Sequence, residues 1–371
     1  MFFTNVQVHT GSLPPEEARA AIVAALREWT SAQGVHELTE EDRLFDREVH
    51  RTILVGPATD GPWIAVFDEK TEDQRHEDVQ DLTRRLSQVT GHAVGVLNQH
   101  SDMLALWLAH DGELVDEFKS QQAAGHAEQW RDVLASGATP EQLRSVLDTN
   151  VAFAEDLLGD LGPLFGWDAG LSAMGFEYLE RDLDPRDSGP FTRLDLRSSI
   201  DPLAARRGSG PPVLAQGLSH PELRVSVGEP IVGFTAMFQS TGGPSSGLSI
   251  VVWGPGLDLL DLHGVQLATR PGAELREFEL LQSVSTERST PLRYLELADF
   301  PIPRGITGSS YEPVNGMSMR RALAAQYAAC IAVSLTGRGA HTGTAELHIG
   351  VAPGENRESG QTSWTTQVKV A

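Results

Sequence analysis

The sequence predicts an α+β protein in two bodies, and three observations carry that reading. Before about residue 218, apolar residues recur at helical spacing between short apolar runs; after it, alternating runs follow one another with Gly and Pro between them. The chain has 371 residues, more than one hydrophobic core usually organises. Its composition, 40% hydrophobic and 22% charged, is that of a globular protein.

Residues 2–9 alternate, with Phe2, Thr4, Val6 and Val8 on one side of a first strand. Pro14 and Pro15 open a helix whose apolar stripe is Ala18, Ala21, Ile22, Ala25, Leu26 and Trp29. Strands are expected at 52–55 and 63–67, separated by the turn-rich residues 56–62. Thr71 and Gln74 have capping-box spacing, and the helix they would start buries Val79, Leu82, Leu86 and Val89 before Gly91 stops it. Strands at 93–97 and 103–109 follow, and Asp111-Gly112 turns the chain into a hairpin strand over 113–118.

The order βαββαβ, extended by a β-hairpin, resembles the ferredoxin-like split-βαβ motif, which implies an antiparallel sheet with both helices on one face. Residues 103–108 are almost continuously apolar, the pattern of a strand covered on both faces. A lid is therefore expected on the open face. The candidate is one long helix over 141–161, begun by Thr139-Pro140-Glu141-Gln142 and striped with Leu143, Val146, Leu147, Phe153, Leu157 and Leu161. Residues 1–165 are thus expected to form a ferredoxin-like α+β domain with covering helices. Residues 166–217 read as an irregular connector, and 218–371 as an antiparallel β-sandwich with a single helix near 318–326.

Formal net charge is −22, concentrated at the front: residues 1–120 hold 10 Lys and Arg against 22 Asp and Glu, residues 218–371 hold 11 against 14. Such a field opposes phosphate backbones and anionic lipid, so no nucleic-acid and no membrane partner is expected; a protein partner or self-association is. The first residues read as a strand rather than a signal peptide, and no apolar run reaches the ~18 residues of a membrane span. The single cysteine, Cys330, lies in an apolar run and is expected as a buried thiol, which points to the cytoplasm.

Gly243-Pro244-Ser245-Ser246-Gly247 matches the G-x-S-x-G pattern, but a nucleophile elbow needs a helix after the serine and here a strand follows, so a hairpin turn is expected. The glycines of 337–343 likewise run into a strand and not into the helix start that a phosphate loop requires. His100 and Asp102 place a base and a carboxylate at one end of strand 103–109 and are the catalytic candidates. The acidic stretch 37–48 lacks the oxygen spacing of a calcium loop, no zinc spacing occurs, and neither a cofactor nor a metal is expected. Three alternating C-terminal strands would set Ser334, Thr336, Glu346, His348, Gln367 and Lys369 on one polar plate, the candidate ligand-binding face for sugar or peptide. These signals favour a non-catalytic intracellular binding or assembly protein. They leave open a hydrolase-type enzyme with a site in an interdomain groove, and a carbohydrate- or peptide-recognising β-sandwich.

Overall fold

The computed structural model describes residues 2–39, 42, 48–59, 61–73, 75–99, 102–120, 126–149, 153–182, 189–209, 214–219, 222–231, 236–268, 275–284, 291–308, 314, 316–354 and 362–371. The chain is α+β with several antiparallel sheets, and it divides into two compact units. The first comprises 1–202 together with 314–321; the second comprises 203–313 and 322–371.

The first unit holds β1 (Phe3–His9), α1 (Pro15–Ala32), β2 (Val35–Glu37), β3 (Arg51–Val55), β4 (Trp63–Asp68), α2 (His76–Thr90), β5 (His92–Gln99), β6 (Met103–His110), β7 (Glu113–Lys119), α3 (Pro140–Leu147), α4 (Ala154–Phe165), α5 (Ala169–Ser172), α6 (Phe176–Asp182) and β8 (Thr192–Ser198). Its sheet runs β2-β8-β3-β4-β1-β5-β6-β7, antiparallel throughout. Val6, Val8, Ile53, Val55, Ile64 and Val66 pack on one face against Ile22 and Leu26 of α1 and Leu82 and Leu86 of α2. The β6–β7 turn has φ of 46° at Asp111 and 92° at Gly112, the doubly positive pair that a tight hairpin selects.

The second face is covered, but not by one long helix. Helix α3 ends at Leu147 and α4 begins at Ala154; the residues that follow α3, Asp148 and Thr149, are weak helix formers. Leu143, Leu157, Leu161 and Phe165 meet Leu104, Leu106 and Leu108 of β6, with Trp130 of the 3₁₀ turn Ala127–Val133. Phe153, expected in this stripe, is 58% exposed. Trp107 lies on the opposite side of the pleat, against Val79 of α2, since alternate strand residues face opposite ways. Thr71 starts no helix: it sits in the 3₁₀ turn Glu69–Asp73, and its hydroxyl donates to the Asp68 carbonyl.

Residues 166–217, expected as irregular, include α5, α6 and a full strand. β8 pairs with both β2 and β3, and its Leu194 and Leu196 enter the α1/α2 core.

The second unit holds β9 (Leu214–Ser219), β10 (Glu222–Val225), β11 (Ala236–Ser240), β12 (Ser245–Trp253), β13 (Leu260–Ala268), β14 (Arg276–Glu279), β15 (Leu281–Val284), β16 (Pro291–Ile302), β17 (Cys330–Gly339), β18 (Gly343–Pro353) and β19 (Thr362–Val370). Helix α7 (Met319–Ala328) begins in the segment counted with the first unit. One sheet runs β10-β19-β18-β12-β16-β15, the other β14-β13-β17-β11-β9. Ile250, Val252, Leu347, Ile349 and Val368 of the first sheet share one apolar cluster with Phe238, Val265, Leu267, Ile331 and Val333 of the second. The G-x-S-x-G segment joins β11 to β12, which lie in different sheets, so it carries the chain between sheets and makes no hairpin.

Candidate functional site

Strand alternation buries Leu347, Ile349, Trp364 and Val368 and leaves Glu346, His348, Thr365, Gln367 and Lys369 on the outer face of the six-stranded sheet. Glu346 lies opposite Gln367, and His348 opposite Thr365, across the β18–β19 pair. His348 Nδ1 is 3.0 Å from Thr365 Oγ1, and its Nε2 is 3.5 Å from Glu346 Oε1. On the other side β12 sets Trp253 opposite His348, and the two rings stack at 5.5 Å. At the far edge Lys369 and Arg224 both donate to Glu222, at 2.6 and 2.7 Å, and hold its carboxyl below the usual range. The result is an aromatic pair ringed by hydroxyl, amide and paired charges, chemistry suited to a polar ligand with one flat apolar side.

Ser334 and Thr336 do not belong to this face. They sit on β17 in the five-stranded sheet, and β17 and β18 do not pair. The turn after Gly339 carries the chain from one sheet to the other, so the expected single plate is divided, and four of its six residues stay together. Asp102 is exposed in the turn before β6, its N–H bonded to the Gln99 carbonyl. His100 lies outside the described residues, as does most of the acidic stretch 37–48.

Among the described residues there is also a dense charged assembly that the sequence did not announce. It surrounds the 3₁₀ turn Glu69–Asp73 in the first unit. Arg51 forms a two-pronged ion pair with Asp68, both fully buried. Glu69, 2% exposed, accepts from the Thr52 N–H at 3.0 Å, from Arg321 Nε at 2.7 Å and from the Ser318 hydroxyl at 2.9 Å. Arg321 also donates to Thr52 Oγ1, which in turn donates to Asp195. The Asp73 carboxylate accepts from the Met319 N–H at the start of α7, at 2.9 and 3.0 Å. Glu72 accepts from the Glu177 N–H at the start of α6, at 3.0 Å, while its other oxygen, Oε1, is buried without a hydrogen-bond partner. Gly175 makes room for that oxygen: a Cβ there would clash with it.

Burial pushes the Glu72 carboxyl up to about 8, against the pull of the Glu177 and Phe176 N–H groups. Burial pushes Asp73 up to about 7 against the Met319 N–H, and moves Glu69 upward despite Arg321. Carboxyls that ionise near neutrality can serve as acids or bases. Glu69 and Asp73, however, hold the segment 314–321, and Glu72 holds α6.

No family model matches the chain, and no curated protein matches it. Similarities to solved structures include, each at a TM-score of 0.18, two collagen-binding proteins and a hydrolase. One is the collagen binding subdomain of the Enterococcus faecalis surface protein ACE, with 8% identity over 43% of this chain and 97% of that one. Another is the collagen-binding domain of a Staphylococcus aureus adhesin, with 7% identity over 44% and 99%. The third is a family 123 glycoside hydrolase from Clostridium perfringens, with 10% identity over 42% of this chain and 23% of that one. Similarity at this level assigns no activity.

Proposed function

We propose that the protein is a non-catalytic binding or assembly protein that recognises a polar ligand, a sugar or a peptide, on the outer face of the six-stranded sheet. The observation that carries this is the row Trp253–His348–Glu346 with Thr365 and Gln367 beside it, a stacked aromatic pair bordered by donors and acceptors. In this reading the first unit is a ferredoxin-like domain, supported by the order β3-β4-β1-β5 with α1 and α2 on one face. The second unit is a β-sandwich, supported by the apolar cluster common to its two sheets. A cytoplasmic location is supported by the lone buried thiol of Cys330, which burial pushes up to about 11. The net charge of −22 argues for protein or neutral polar partners over nucleic acid or anionic lipid.

A second reading, an enzyme, would draw not on the sequence candidates His100 and Asp102 but on Glu72 and Asp73, whose carboxyls ionise near neutrality. Both already accept helix-start N–H groups, which favours an anchoring role. Glycan and peptide arrays probed with the wild type and with Trp253→Ala/His348→Ala would decide for the sheet face. Ligands that the wild type retains and the double variant loses support the proposal. Ligands bound equally by both place recognition elsewhere and refute it.

A further inference from the structure

The side chains on the outer face of the six-stranded sheet stand in rows across its strands. One row sets Trp253, His348 and Thr365 side by side. The next sets Glu346, Gln367 and Glu222 side by side, and beyond it Lys369 faces Arg224. Successive rows are about 7 Å apart and neighbouring strands about 4.8 Å apart.

Three properties of these rows narrow what they can hold. First, β12, β18 and β19 each pair on both sides, so their backbone N–H and C=O groups are bound within the sheet. A peptide that docks as an added strand draws on such groups at a free edge. Over these strands, side chains read the ligand. Second, Lys369 and Arg224 both donate to Glu222, at 2.6 and 2.7 Å, and with Glu346 the formal charges of the four cancel. A charged ligand would meet no surplus of the opposite sign, whereas a neutral one needs none. Third, the Glu346 carboxylate accepts hydrogen bonds, while the Thr365 hydroxyl and the Gln367 amide both donate and accept. That mixture matches a ligand rich in hydroxyls, each of which does both. The Trp253 ring, stacked on His348 and partly exposed, adds a flat apolar surface that suits the C–H side of a sugar ring.

Granted that recognition resides on this face, as proposed above, we infer that its ligand is a neutral oligosaccharide, one ring of which stacks on Trp253 while its hydroxyls bond Glu346, Gln367 and Thr365. Glu346 then acts as a specificity residue, since it rejects any sugar that brings a carboxylate to the same place.

An array of neutral tetrasaccharides of glucose, mannose and galactose, of the corresponding tetrauronates and of blocked hexapeptides tests this with the full chain. At least one neutral tetrasaccharide should be retained, and the tetrauronates and peptides should not. Its affinity should change less than about 2-fold between about 50 and about 500 mM NaCl, because no ion pair with the ligand is there to be screened. Trp253→Ala should weaken it at least ~10-fold, and Glu346→Gln about 5-fold. Glu346 is exposed, so its variant decides the matter if Trp253→Ala unfolds early. Peptides or tetrauronates retained through Trp253, with the neutral sugars ignored, overturn the inference and leave recognition on this face. A neutral tetrasaccharide bound equally by the wild type and both variants overturns the inference together with the reading it rests on. A wild type that retains no neutral tetrasaccharide overturns the inference as well.

Discussion

The stability of Glu72→Gln relative to the wild type should rise progressively as the pH rises from 5 to 9. The Glu72 carboxyl moves from an ordinary 4.5 in the unfolded chain to about 8 in the folded one. Between those values the folded state holds a proton that the unfolded state has released, so folding stability falls as pH rises. The favourable contribution is fully present below about 4.5 and is lost as pH climbs through about 8. A displacement of that size corresponds to a ceiling of about 5 kcal/mol. Part of the side chain reaches solvent and the Glu177 N–H stabilises the anion, so about 2 kcal/mol is the working magnitude.

The glutamine cannot ionise, so the wild type's pH-dependent loss disappears in Glu72→Gln. Its amide oxygen can take over the Glu177 N–H, and its amino group falls where Oε1 now lies without a partner. That orphaned donor lowers stability by a constant amount, so the informative quantity is the slope and not the offset. Urea unfolding of both proteins at pH 5, 7 and 9 should show their difference shifting in favour of Glu72→Gln by about 2 kcal/mol across the range. A difference independent of pH, or one that shifts the other way, would refute the assignment of a protonated, buried Glu72.

Two further outcomes follow from the packing. Leu106→Ala, which removes a fully buried contact beneath α3 and α4, should cost about 3–5 kcal/mol in urea unfolding, whereas Phe153→Ala should cost under about 0.5 kcal/mol. Arg321→Ala should cost about 3 kcal/mol, because Glu69 is left buried beside the Ser318 hydroxyl and the Thr52 N–H without its cation; Glu69→Gln in the same background should recover much of that loss.

What was legible in the sequence was what repeats locally. The amphipathic stripes of α1 and α2, the apolar run of β6 and the Asp111-Gly112 turn each state their role within a few residues. β13 shows no continuous alternation in the sequence because of a bulge. Its register shifts between Leu262 and Gly264, so Leu260 and Leu262 point inward on one parity and Val265 and Leu267 on the other. β8 carries a clean alternation of Leu194 and Leu196 between charged residues, yet its polar and Pro-rich surroundings read as a linker. The split of the polar plate turned on which strands pair, and period-2 patterning fixes a strand's two faces but not its neighbours. The Glu69 assembly left no local trace at all, since its Ser318 and Arg321 partners lie 249 and 252 positions away.

The two charged assemblies differ in a way that separates anchoring from recognition. A carboxylate as buried as Glu69 is stable only while donors surround it, and its donors come from Thr52, Ser318 and Arg321, residues on separate stretches of chain. Removing any of them to admit a ligand would leave the buried charge short of a donor, so the assembly resists exchange of partners. On the outer face of the six-stranded sheet the balance is reversed. Glu346, His348 and Lys369 keep a third to a half of their side-chain surface in water, and their contacts with one another are those of solvated groups. A ligand arriving there displaces water and loosely held neighbours, at small cost per group, while the Trp253–His348 stack supplies apolar area to bury. Exchangeable polar contacts around an aromatic pair suit reversible binding, and a closed ionic network suits holding the segment 314–321 in place.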